Sequence, residues 1–227
     1  MQPYFFPYVG YFQLMAAVDT LVILDDVSFI NRGWINRNRI AVSGQALFFT
    51  VPLEAASQNK RINEIKIAGD QRWCKKLLRT LEQTYGKSIG FETCFPVIQE
   101  IVEFESPLLS EYLLHSLQLL QSLLMIDTHL ELSSKKYGNT HLKAEVRIID
   151  ICLQEAASTY INLEGGINLY NKAHFESRGI DLQFLEASQT GYTQGKHAFI
   201  PSLSILDVLM CNTLLQTRAI VQTVALS

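Results

Sequence analysis

The densest run of chemically capable side chains lies between Asn31 and Arg39, where three arginines and three asparagines interleave with Trp34. Guanidinium forks match phosphate or carboxylate oxygens in pairs, amides match sugar hydroxyls or bases, and an indole offers a stacking face. Arg32, Trp34, Asn36, Arg37 and Asn38 are therefore candidate ligand-binding residues, and the ligand they suit is a small anion such as a nucleotide or nucleotide-sugar. Just upstream, Asp25-Asp26 ends the apolar run Thr20–Leu24. Neighbouring strand residues point to opposite faces, so at most one of these carboxylates faces a given cleft. There it could bind Mg²⁺ through oxygen, hold a ribose hydroxyl or orient an amine. A strand-ending turn or a helix cap accounts for the same pair without chemistry.

The opening segment is the second candidate. Pro3 and Pro7 hold the backbone extended, because proline fixes its own φ and disfavours α geometry in the residue before it. Gly10 then allows a close approach where a helix begins, and a helix N-terminus offers free N–H groups to a phosphate or carboxylate. Gln2, Tyr4, Tyr8, Gly10 and Tyr11 join the candidate set on that ground; a rigid Pro-Gly turn with core aromatics is the alternative. Lys60, in the loop around Ser57-Gln58-Asn59, is a further anion contact or a plain surface lysine. Gly165-Gly166 follows the run Thr159–Leu163 as a strand-end loop or an ordinary turn. Tyr192 and Gln194 precede His197, the one histidine to consider as an acid or base, an ordinary structural role being the alternative; with Asp25 and Asp26 it completes the catalytic candidates.

The elements that must position these groups follow from periodicity. Thr20–Leu24 reads as a buried strand preceded by a helix over Gly10–Val18, and Ile40–Val42 with Leu47–Val51 as a hairpin. Ile62–Ile67 alternates like a strand. Arg72–Tyr85, Phe95–Phe104 and Leu108–Ile126 carry helical spacing and form a helical insertion at about 70–127. His129–Leu132, Thr159–Leu163 and Asp181–Leu185 read as strands, alternating with helices over Leu142–Ala157 and Lys172–Ser177; Ser204–Leu215 closes as a helix. The alternation predicts an α/β fold, Rossmann-like, with a mostly parallel sheet and flanking helices in a single domain over 1–227.

With 48% apolar residues, 18% charged residues and a net charge of −3, the chain reads as globular and lacks the basic excess of a general nucleic-acid binder. Four scattered cysteines without a C-x-x-C pair and five histidines without ligand spacing assign no metal. No phosphate-loop, nucleophile-elbow or dinucleotide fingerprint occurs. Ser, Gln, Glu and His interrupt the Leu-rich 108–126 stretch, so it is no membrane span, and Met1-Gln2-Pro3-Tyr4 is no secretory signal. A cytoplasmic location is expected.

Three stretches together resemble the signature of the WbqC-like family: Gln2 to Leu14, then Asp25-Asp26-Val27 with Phe29-Ile30, then Arg32 to Asn38. Val51-Pro52-Leu53, Ser57-Gln58, Ile62-Asn63, Tyr192 with Gln194, and Phe199, Pro201, Leu203-Ser204 and Asp207 extend the likeness almost end to end. The resemblance implies a bacterial protein of surface-polysaccharide (O-antigen) biosynthesis, for which transfer of a glycyl group has been suggested. On that reading the acceptor is an amino sugar on a nucleotide or lipid carrier. An ATP-dependent ligase or nucleotidyltransferase, and a non-catalytic nucleotide- or sugar-binding partner of a biosynthetic complex, are the alternatives, and the cofactor stays open, a nucleotide with Mg²⁺ being one option. The resemblance also implies apolar strand residues ahead of Gln2, so with Met1 at that place the first strand is expected to be cut short.

Overall fold

The computed structural model describes residues 1–187 and 191–226, and its architecture is α/β. Helix α1 (Val9–Ala16) leads into strand β1 (Thr20–Val22), as the Gly10–Val18 and Thr20–Leu24 patterns predict. The hairpin β2 (Arg37–Val42) and β3 (Gln45–Thr50) turns on Ser43 and Gly44, with φ of 50° and 77°. Two consecutive positive φ values match the right-handed twist of the flanking strands, and glycine supplies one of them without strain. Strands β4 (Leu53–Glu54) and β5 (Lys66–Ile67) form a short antiparallel pair.

The expected strand over Ile62–Ile67 is only partly a strand. Ile62–Glu64 forms a single 3₁₀ turn, and the two fully buried residues are Ile62 and Ile65. That three-residue spacing is the period of a 3₁₀ turn, so burial overrides the apparent alternation.

Helices α2 (Arg72–Tyr85), α3 (Phe91–Glu103) and α4 (Leu109–Leu124) make up the segment between β5 and β6 (His129–Glu131). Their buried faces, with Leu77, Leu81, Ile98, Ile101, Leu113, Leu117 and Leu120, join β1 and the opening aromatics in the main apolar core. β6 returns to lie parallel beside β1, Thr20 facing His129 and Val22 facing Glu131. On the other edge of β1, the Met1 ammonium donates to the Val22 carbonyl at 2.6 Å, and the Leu24 amide donates to the Met1 carbonyl at 2.7 Å. This brackets Ile23 in the parallel-ladder manner. Burial lowers the pKa of that ammonium to about 5.

After α5 (Ala144–Gln154), β7 (Thr159–Leu163) and β8 (Asp181–Ala187) pair in parallel around α6 (Lys172–Glu176), with a small second core at Cys152, Phe175, Ile180 and Leu182. β1 and β7 line opposite parts of a cavity of about 350 Å³. Among the described residues the strands thus form four small sheets, two of them containing the parallel pairs. The expected closing helix over Ser204–Leu215 is two helices, α7 (Ile205–Cys211) and α8 (Leu214–Gln222). Asn212 is extended between them, and Thr213 and Gln216 form a reciprocal capping box that starts α8 afresh. β9 (Val224–Leu226) then adds antiparallel to β8. Among the described residues, no helix is long and apolar enough to cross a membrane.

Candidate functional site

The start of α1, the ends of β7 and β8, and strand β9 meet at one cavity of about 970 Å³. This is the upper end of the range for small-molecule sites, and carboxyl ends of parallel strands are where α/β folds place ligands. Tyr4, Pro7 and Tyr8 line one part, Trp34, Asn38 and Arg39 another, and Leu163–Gly165 with Leu185–Ala187 a third.

A strained backbone sets the first wall. Phe6 is fully buried at φ 42°, a left-handed geometry that costs a bulky residue on the order of 1 kcal/mol or more. The buried Asn38 amide donates to the Phe5 and Phe6 carbonyls at 3.3 and 2.8 Å, and Ser204 Oγ donates to the Phe6 carbonyl at 2.7 Å. Those bonds fix the chain between Tyr4 and Tyr8, the two rings on the cavity wall. Burial raises the pKa of both phenols, with each other's proximity adding to the effect at Tyr8. At neutral pH they are uncharged faces and hydrogen-bond donors.

Gly10 is fixed by close approach, not by φ. A Cβ there would lie 2.7 Å from Ala187 Cβ and 2.5 Å from the Tyr8 ring. Gly10→Ala is expected to push α1 off the end of β8 and to cost about 1 kcal/mol or more. A melting temperature equal to that of the parent chain would refute this.

The second wall carries the cation. Arg39 lies over the Trp34 ring at 5.3 Å, and its buried Nε has no hydrogen-bond partner among the described residues. Trp34 stacks on Phe48 at 6.2 Å, and Arg37 covers the other end of Phe48 at 4.8 Å. The four side chains form a ladder along the outer face of the hairpin. The third wall supplies exposed carboxylates at Glu164 and Glu186. The cavity therefore offers a guanidinium for an anion, aromatic faces for a ring, and two acceptors for hydroxyls or an amine.

Of the residues expected from sequence, Tyr4, Tyr8, Trp34, Asn38 and Gly165 line this cavity. The others have different surroundings. Arg37 Nε donates to the Gly33 carbonyl at 3.1 Å and its Nη2 to the Arg32 carbonyl, so it staples the 30–33 turn, where Arg32 sits at φ 59°. Asn36 donates to Val51 O at 2.9 Å, and Lys60 to Ala55 O at 3.1 Å. Tyr11 is fully buried and donates to Gln2 O at 3.1 Å; Gln2 Oε1 accepts from Tyr4 at 3.4 Å. Gly166 is buried against Asn162, 2.8 Å from where its Cβ would stand.

Asp25 and Asp26 are buried outside the cavity lining. Asp25 accepts from Asn63 at 3.1 Å and Ser133 at 2.8 Å; Asp26 accepts from Ser134 at 2.5 Å and from Arg147 at 2.7 and 2.8 Å. Tyr192 donates to the buried Asp207 at 2.7 Å, which also accepts from Tyr85, and Gln194 bridges Tyr192 and Ile200. His197 is exposed against the Gly44 turn. Among the described residues, no group of three or more His, Cys, Asp or Glu could hold a metal ion.

The sequence marks the 31–39 run without singling out Arg39, and it does not mark Glu164, Glu186, Ser202 or Thr223–Ala225. Glu164 adjoins the Gly165-Gly166 pair and was within reach of that signal. β9 was not, since its three residues have no periodicity to detect.

No solved structure matches the chain. A Mycobacterium tuberculosis protein described as uncharacterized, Rv1507c, is 30% identical over 220 residues, covering 92% of this chain and 90% of its own. Residues 2–219, the span carrying every wall of the cavity but β9 and Thr223, match the WbqC-like protein family, and the chain belongs to that family.

Proposed function

We propose that the chain is a biosynthetic transferase that places a small acyl or aminoacyl group, glycyl being the leading case, on the amine of a nucleotide-linked or carrier-linked amino sugar for surface polysaccharide. The observation that carries this reading is the Arg39 guanidinium, set over Trp34 and paired with no carboxylate among the described residues, on the lining of a cavity that also holds Glu164 and Glu186. Arg39 binds the phosphate of the carrier, the aromatic faces take the sugar or base ring, and a carboxylate orients the amine. In the transfer step the amine nitrogen attacks the acyl carbonyl carbon of an activated donor. The C–N bond forms, the bond to the donor's leaving group breaks, and the ammonium proton passes to Glu164 or Glu186 as general base.

A second reading, a non-catalytic sugar-nucleotide binder within a biosynthetic complex, is favoured by one feature: none of the described lining residues is a histidine, cysteine or lysine. A thermal-shift series with uridine-diphosphate amino sugars and their N-acetylated counterparts tests the shared binding step. A ligand at 100 times its Kd adds about 2.7 kcal/mol. The free-amine sugar is expected to give the larger shift. Equal shifts would remove the carboxylate assignment, and no shift with either would overturn the site. Radiolabelled glycine appearing on the sugar from an activated glycyl donor separates transferase from binder.

A further inference from the structure

From Val27 to Leu53 the sequence contains no aspartate or glutamate and three arginines, in a chain whose net charge is −3. The fold puts much of this stretch on one face of the β2–β3 hairpin and its preceding turn. Ile30, Trp34 and Phe48 are 48%, 41% and 49% exposed there. They are contiguous: Trp34 stacks on Phe48, Arg37 lies over Phe48, and the 30–33 turn is held by Arg37. Arg32 is exposed on the same turn, and among the described residues neither Arg32 nor Arg37 pairs with a carboxylate.

We propose that this face is a docking surface for an anionic lipid bilayer. Tryptophan and phenylalanine flanked by arginine suit the headgroup boundary, where the ring enters the acyl edge and the cation stays with the phosphates. Ile30, at the start of the turn that Arg37 holds, adds an exposed aliphatic side chain beside this arginine-bearing turn. Aliphatic groups gain from hydrocarbon and offer nothing to a nucleobase stack, which favours lipid over a single-stranded nucleic acid. The face runs into the cavity through Trp34 and Arg39, so docking would bring the cavity mouth to the membrane surface.

Co-sedimentation with phosphatidylglycerol-rich vesicles, compared with pure phosphatidylcholine vesicles, tests the proposal. Expected are binding to the anionic vesicles alone, weakening with salt, and a blue shift of tryptophan emission on binding. Each basic residue near such a surface contributes about 1 kcal/mol, so reversing Arg32 and removing the Phe48 ring (Arg32→Glu with Phe48→Ser) should weaken binding at least tenfold. Ile30→Ser with Arg32→Ser repeats the test away from the Trp34 stack, should Phe48→Ser disturb the fold. Binding to neither vesicle, or anionic binding unchanged in both variants, would overturn the proposal. So would a dimer that Phe48→Ser dissolves, which would give the face to a second copy, or capture of an oligonucleotide in preference to vesicles.

Discussion

Arg147→Met is expected to destabilise the chain by about 3 to 5 kcal/mol. Arg147 lies on α5 and Asp26 just past β1, and their side chains are 8% and 0% exposed. Bringing both charges out of water is costly, and the pair persists because each has further partners. Asp26 also accepts from Ser134, and Arg147 Nε donates to Asn139, whose amide in turn donates to Asp150 at 2.7 Å. Methionine fills the arginine stem but leaves the Asp26 carboxylate buried with one hydroxyl. Urea denaturation of the single variants, set against Asp26→Leu with Arg147→Met, separates the two contributions. The double variant is expected to regain most of the loss, because apolar pairs of similar volume often match buried ion pairs in stability. A single-variant loss below about 1 kcal/mol would show that water reaches the site, contrary to the burial described.

That ion pair also marks a limit of what the sequence discloses. Asp25 and Asp26 stand out as polar residues ending an apolar strand, a pattern equally suited to catalysis and to internal pairing. Their partners at Asn63, Ser133, Ser134 and Arg147 are separated from them by as much as 121 residues, and no local pattern reports such a contact. Local patterns served best where burial is one-sided. The stripe of Trp73, Leu77, Leu81 and Tyr85 placed α2 at Arg72–Tyr85, and the run Thr159–Leu163 gave β7. The break between α7 and α8 was legible in principle, as Thr213 and Gln216 have capping-box spacing; continuous apolar residues on both sides concealed it. Within the arginine cluster, residue types pointed to the right stretch but not to the right residue. Arg37 and Arg39 are two apart on β2 and share its outer face. Which one stays available depends on the 30–33 turn, whose carbonyls engage Arg37, and that turn rests on a left-handed Arg32 that no composition argument supplies.

Arg39→Met is expected to abolish most binding of a phosphate-bearing sugar while leaving the fold in place. The guanidinium is held by stacking on Trp34, and its Nε has no hydrogen bond to lose among the described residues, so methionine can cover the same apolar surface at little cost to stability. Binding is another matter. Charge-assisted hydrogen bonds to phosphate contribute about 1.5 to 3 kcal/mol, which corresponds to a ten- to hundredfold rise in Kd. Isothermal titration of parent, Arg39→Met and Arg37→Met with the same nucleotide amino sugar isolates the assignment. Arg37 is engaged with the Gly33 and Arg32 carbonyls and lies outside the cavity lining, so its replacement should loosen the turn and change affinity far less. Arg39→Lys should recover only part of the affinity, because an ammonium keeps the charge but loses the planar fork and the face that stacks on the indole. Equal affinities in Arg39→Met and the parent would remove the anion from this wall of the cavity, and with it the orientation in which the sugar amine meets Glu164 and Glu186.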